Sequence, residues 1–197
     1  ILCHTNGDIW LSCGSGLIRY IASTNETKIY NEGPDYLISN SIRCLYEDRS
    51  GVLWVGTNKG VSILNTKQQF STRINNILVQ NQIYGNSVKS FLQDSNNDLW
   101  IGTEENGVIQ FDISENKMIR FVCDKDSENS LLSNSIKYIE EEINDDIIIA
   151  TEKGINIINK NTKEIISYPY EEITPNLFFN EGLKILNDDK YVWTPTE

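Results

Sequence analysis

Apolar residues in this chain of 197 residues come in short, dense runs that return at intervals. Leu53-Trp54-Val55, Leu99-Trp100-Ile101 and Ile147-Ile148-Ile149 are each apolar at three successive positions. A strand covered on one face alternates apolar and polar residues, so these runs predict strands covered on both faces. Around each lies a fixed order of elements. Residues 41–47 form a β-branched and aromatic run, Asp48-Arg-Ser-Gly51 a turn, residues 52–57 the doubly apolar strand, and Asn58-Lys-Gly60 a second turn. Asp holds its own backbone at the head of such a turn, and Gly accepts positive φ at its end. Residues 61–64 and 70–74 then read as a third and a fourth strand. The fourth runs are mixed, as in Thr27-Lys-Ile-Tyr30 and Lys117-Met-Ile-Arg-Phe121. That composition suits an outer edge facing water. Helical periodicity is missing throughout.

The order repeats. The centre of the apolar run falls at Trp10, Trp54, Trp100 and Ile148, at spacings of 44, 46 and 48 residues. Four short strands in a unit of this size make the module of a β-propeller blade. The expected fold is therefore all-β, built of four-stranded antiparallel blades. The copies are expected near residues 1–30, 40–75, 86–122 and 134–170, with the start of a further one over 182–197. The first residues and the last both align with positions inside a copy. The expectation is a partial propeller cut from a longer chain, with neighbouring blades as partners and self-association as the hazard of an uncovered blade face.

The segment Asn40-Ser-Ile42 to Gly60-Val61 resembles the two-component regulator propeller repeat. Its unit is a short strand, then D-x-x-G-x-L-W-I-G-T, then a turn and G-L/V. Asn86-Ser-Val88 to Gly107-Val108 fits with Asn97 in place of glycine, and residues 124–136 resemble the family's linker with its S-L-x-x-N-S-I ending. A third copy, Asn134-Ser135-Ile136 to Gly154-Ile155, carries Ile148 for Trp and Ala150 for Gly. The resemblance implies an extracytoplasmic, ligand-sensing part of a bacterial signalling receptor. Carbohydrates are the implied ligands, and the implied full-length protein is membrane-anchored with a kinase or cyclic-dinucleotide synthase output. It implies no enzyme activity within this segment. A passive protein-interaction scaffold is the alternative, and a propeller lyase or glycosidase the more distant one.

Composition narrows the partners. The net charge of −11 argues against nucleic acid and anionic membrane surfaces, which call for a basic face. No apolar run reaches the length of a membrane-spanning helix. Cys3, Cys13, Cys44 and Cys123 show no C-x-x-C pair and read as free thiols, most of them small hydrophobes in strands. His4 is the single histidine, which leaves a Ser-His-Asp or Cys-His arrangement only one possible centre. His4 aligns with Asp48, in a turn on the face opposite the variable loops. Asp124-x-Asp126-x-Glu128 opens like a calcium loop, but Asn129 and Ser135 stand where the mechanism needs Gly and Glu. No cofactor and no metal are expected.

Recognition is expected in the loops where copies differ: residues 31–40, 75–86, 124–135 and 169–180, with the turns near Asn58, Glu104 and Glu152. These loops hold Asp35, Tyr36, Tyr84, Asp126, Glu128, Tyr170, Phe178 and Phe179. Tyr84 aligns with Ile38 and Leu132 and reads as packing. One pattern is sharper. The residue after the first apolar position of each first strand is basic: Arg43, Lys89, Lys137 and Lys184. Together with Tyr36 and Glu104 they are the candidate ligand-binding residues, forming a cationic arc suited to a carbohydrate or an anionic small molecule. The competing expectation is that they pair with Glu104, Glu105 and Glu152.

Overall fold

The computed structural model describes residues 1–33, 37–65, 87–142, 146–173, 186–188 and 191–193. They form two compact units, Ile1–Val88 and Lys89–Glu197. In the first unit, β1 (Leu2–Cys3), β2 (Ile9–Cys13), β3 (Gly16–Ile21) and β4 (Glu26–Tyr30) pair in sequence order as one antiparallel sheet. A second sheet holds β5 (Ile42–Glu47), β6 (Val52–Thr57) and β7 (Gly60–Asn65). The fourth strand expected at 70–74 lies outside the described residues.

The second unit has two four-stranded sheets. One holds β8 (Val88–Gln93), which starts at the boundary, with β9 (Leu99–Thr103), β10 (Val108–Asp112) and β11 (Lys117–Phe121). The other holds β12 (Ile136–Glu141), β13 (Asp146–Thr151), β14 (Gly154–Asn159) and β15 (Ile165–Pro169). A one-turn helix, Tyr170–Ile173, and a hairpin of β16 (Leu186–Asp188) and β17 (Tyr191–Trp193) follow. The described sheets of three and four strands are up-and-down antiparallel meanders, the arrangement of a propeller blade.

The apolar runs do what their composition predicts. Leu53, Trp54 and Val55 are buried, as are Leu99, Trp100 and Ile101, and Ile147, Ile148 and Ile149. In the first unit the Trp10 side of one sheet packs on Leu53 and Val55 of the next, with Leu17, Leu37 and Leu64. In the second unit Trp100, Val108 and Phe121 meet Ile136, Ile139, Ile147 and Ile149 in the same way. Full burial of one such indole removes roughly 150–250 Å², or about 4–6 kcal/mol at ~25 cal/mol per Å². The outer strands face water, with Ile29 62 %, Ile119 46 % and Ile166 57 % exposed.

Polar side chains fasten the elements, and they recur with the repeat. Trp54 Nε1 donates to Asp48 Oδ2 at 2.8 Å, and Trp100 Nε1 to Asp94 Oδ2 at 2.9 Å. The other oxygen of each aspartate accepts turn amides, Ser50 and Val52 in one case and Asn96 and Asp98 in the other. The threonine ending the second strand donates to a glycine carbonyl across the next turn: Thr57 to Gly60, Thr103 to Gly107, Thr151 to Gly154. The linker is also built twice. Leu37 and Leu131 are buried plugs, and the following amides of Ile38 and Leu132 donate to Ser62 Oγ and Asn156 Oδ1 of the next sheet.

Adjacent sheets are stitched at the opposite end by a glutamate closing the first strand. Glu47 accepts Thr5 N at 2.9 Å, and Glu141 accepts Ser95 N at 2.9 Å. In the second unit the buried Lys160 also reaches Glu141, and donates to Ser95 Oγ at 2.7 Å. In the first unit His4 takes that place, 3.4 Å from Glu47. His4 occupies the position of Asp48 and Asp94, and its Nδ1 accepts Asn6 N while Nε2 faces Gly51 O at 3.3 Å. Trp10 Nε1 consequently has no partner among the described residues.

Gly107 shows how tightly the turns are set. Its φ is +72°, and a Cβ there would lie 2.1 Å from Phe121 O. Gly107→Ala is expected to cost about 1–3 kcal/mol, because both the left-handed backbone and the carbonyl contact oppose it. Urea denaturation of the variant checks this; an unchanged midpoint would contradict the close approach.

Candidate functional site

The expected basic residues fall in distinct environments. The β5–β6 register slips between Ile42 and Cys44, and the β12–β13 register slips between Ile136 and Tyr138. Arg43 and Lys137 are thus the extra residues of two equivalent bulges. A bulge re-aims its side chain and leaves a local gap in the ladder. Arg43 is exposed and Lys137 half-buried. Lys89 instead pairs with Glu104, Nζ to Oε1 at 3.1 Å, which is the competing arrangement weighed from the sequence. Lys184, Tyr36, Asp35, Tyr84, Phe178 and Phe179 lie outside the described residues, as does the 75–86 loop.

Asp124 Oδ1 accepts the amide of Asp126, so the calcium-like run is closed on itself as a turn. Among the described residues no three His, Cys, Asp or Glu side chains cluster as metal ligands. All four cysteines are free; Cys3, Cys13 and Cys44 lie in strands, with Cys3 exposed and the other three half-buried. Cys13 stands where Thr57, Thr103 and Thr151 stand in the other sheets, and its thiol donates to Gly16 O at 3.4 Å as those hydroxyls do. Hydrogen bonding from Ser15, first by its hydroxyl and then by its amide, lowers the Cys13 thiol below the usual range.

The first unit contains a feature that sequence reading missed. A groove of about 620 Å³ opens between its two sheets, lined among others by Ser12, Glu32, Asn40, Ile42, Asn58 and Lys59. Comparison of the copies explains it. At the equivalent junction of the second unit, Gly102 lets Ile136 press in; a Cβ there would lie 2.7 Å from Ile136 Cγ2. Ile136 is completely buried. In the first unit the glycine position is Ser12, and Ile42, the counterpart of Ile136, stays half-exposed on the groove wall.

The polar lining is held by its own hydrogen bonds. Asn40 Oδ1 accepts Glu32 N at 2.6 Å. Ser39 Oγ accepts Ser41 N and donates to Asn58 Oδ1 at 2.7 Å. Lys59 Nζ lies 2.8 Å from Glu32 Oε1. That bond, ahead of the smaller effects, holds the Glu32 carboxyl below its ordinary value. The only legible signal for this site was its position: it lies in the 31–40 loop and the Asn58 turn, where the copies differ.

Residues 36–59 and 85–105 match the family described as two component regulator propeller. No curated protein matches the sequence. Two solved structures from B. thetaiotaomicron, described as extracellular domains of hybrid two component systems, are similar at 22 % and 18 % identity, with TM-scores of 0.69 and 0.71. Each match covers 98 % of this chain and 25 % of the other. Virginiamycin B lyase from Staphylococcus aureus matches at 13 % identity and a TM-score of 0.58, over 85 % of this chain and 54 % of that one. At these identities the likeness is one of fold. The chain is all-β, its sheets are propeller blades, and it spans about a quarter of the length of the two-component domains it matches.

Proposed function

We propose that this chain is a ligand-sensing portion of an extracytoplasmic propeller in a bacterial two-component or related signalling receptor, membrane-anchored in its full-length form. The propeller repeats and the likeness to extracellular two-component domains support the class. The observation that carries a binding role is the groove of the first unit. It exists because one junction departs from the repeat, and it is lined mainly by polar side chains. The ligand is a carbohydrate or another small extracytoplasmic molecule, taken up by the loop face. Catalysis finds no support in the one histidine, since His4 is buried with both ring nitrogens facing neighbours. A protein partner is the second reading, favoured by the exposed Ile29 and Ile166 of the outer strands.

Arg43, Lys89, Lys137, Lys184, Tyr36 and Glu104 are proposed as ligand-binding residues apart from that groove, the four basic ones each for an anionic group presented to its own unit. A glycan array, followed by calorimetry on the purified chain, tests the reading. Binding through these cations is expected to weaken as salt rises, since exposed charges are screened over about 8 Å at physiological ionic strength. Replacing both Lys89 and Lys137 by Met is expected to lower affinity with little change in Tm, because a pair as exposed as Lys89 and Glu104 contributes roughly 0–1 kcal/mol. Salt-independent binding that survives the double change would remove these residues from the site. Binding of no sugar and no other small molecule would remove the sensing role.

A further inference from the structure

We propose that the groove of the first unit takes a small zwitterion, a molecule with a carboxylate and an ammonium close together, of the free amino acid class. The inference rests on the reading of this chain as a ligand sensor and assigns a chemistry to one site.

The Asn40 side-chain oxygen is occupied by the amide of Glu32, and a backbone N–H can only donate, so the orientation of that amide group is set. The Asn58 oxygen is occupied by the Ser39 hydroxyl, whose own lone pair takes Ser41 N. Each asparagine therefore keeps its NH2 group, and neither NH2 has a partner among the described residues. Two oriented donors line one groove, beside the Lys59 ammonium. Donors of this kind call for an acceptor-rich, negatively charged group, and a carboxylate offers two oxygens to them.

A simple anion fits poorly. Glu32 is 2.8 Å from Lys59, so an anion at the lysine would meet the glutamate as well. A ligand carrying its own ammonium removes the conflict. Its carboxylate takes Lys59 and the asparagine donors, its ammonium takes Glu32, and the exposed ion pair is replaced by two ligand pairs without a change in net charge. Ile42 and the small residues Ser12 and Gly14 leave room for a short side chain.

The counterpart junction lacks these features. Asn134 repeats the role of Asn40 by accepting Cys123 N at 2.7 Å. Cys123 stands where Glu32 stands, Glu152 where Asn58 stands, and Gly102 where Ser12 stands. The acid, the second amide and the open floor are thus specific to the first unit, while the common framework is shared.

The test uses the whole chain and the twenty standard free amino acids, read by thermal shift and then by titration calorimetry. At least one is expected to bind. Its N-acetyl derivative, which lacks the ammonium, and its carboxamide, which lacks the carboxylate, should each bind at least about tenfold more weakly, the range of one charged hydrogen bond. Glu32→Gln should weaken the free amino acid about tenfold and leave the N-acetyl derivative unchanged. Equal binding of the N-acetyl derivative, or no effect of Glu32→Gln, overturns the inference. Failure of all twenty amino acids also overturns it. If a glycan binds in that case, the sensor reading stands and only the assigned chemistry falls; if nothing binds, both fall.

Discussion

Replacing Lys160 by Met is expected to destabilise the second unit by about 3–5 kcal/mol, the range for removing one partner of a buried ion pair. The Lys160 side chain is 2 % exposed and that of Glu141 is 18 % exposed. Without the ammonium, Glu141 is left with the Ser95 amide and hydroxyl for a charge held largely away from water. A drop in Tm on the order of 10 °C should follow. Adding Glu141→Gln to the variant is expected to return part of the loss, because the stranded charge is removed. A change below about 1 kcal/mol would show that water reaches the pair and that the stitch is ornamental.

The pH dependence of the same pair has a definite sign. Burial acts to raise the Glu141 carboxyl, but hydrogen bonds from Lys160 and Ser95 outweigh it, and the group sits below its ordinary value of 4.5. A carboxyl with a depressed folded value contributes stability that is fully present above the unfolded value. That contribution is lost as pH falls through the folded one. The wild-type chain should therefore lose stability below about pH 4.5 more steeply than the chain carrying both Lys160→Met and Glu141→Gln. Parallel curves from urea titrations between pH 7 and 3 would contradict this assignment.

Asp94→Ala is expected to cost about 3–4 kcal/mol, as three donors lose their acceptor in a dry site. Asp94 and Trp100 are both completely buried. The carboxylate takes the indole N–H with one oxygen and the amides of Asn96 and Asp98 with the other. Asp94→Asn keeps one acceptor and should cost roughly half as much. The chain contains its own comparison. The first sheet has His4 at this position and an indole N–H without a partner among the described residues, which makes that sheet the weaker of the Trp-bearing ones. Hydrogen exchange should show the Trp10 indole proton exchanging faster than those of Trp54 and Trp100; the reverse order would sink the comparison.

The blade plan was legible because it is local. The doubly apolar runs at Trp54, Trp100 and Ile148, the turns such as Asp48-x-x-Gly51 and the mixed outer strands each follow from residues close together in the chain. Side-chain burial follows that pattern strand by strand. The basic residues at 43, 89 and 137 were also visible as a pattern, but their environments were not. Two are bulge residues and one is paired, and this depends on the register between two strands. The groove was invisible for a related reason. It arises from one side chain, Ser12, at a junction where another copy has glycine, and from bonds such as Glu32 to Lys59 that join segments far apart in sequence.

Lys160 marks the limit most clearly. Read along the chain it is a lysine in a polar turn, Asn159-Lys-Asn-Thr162, and nothing nearby predicts burial. It is buried because the neighbouring sheet brings Ser95 and Glu141 over it, 65 and 19 residues away. The sequence by itself determined the strand order, the repeat and the core, since alternation and turn chemistry act between adjacent residues. The tertiary structure alone decided where the charges pair and where the groove opens, since those depend on how closely two sheets approach, and that distance is set by side chains from separate copies of the repeat.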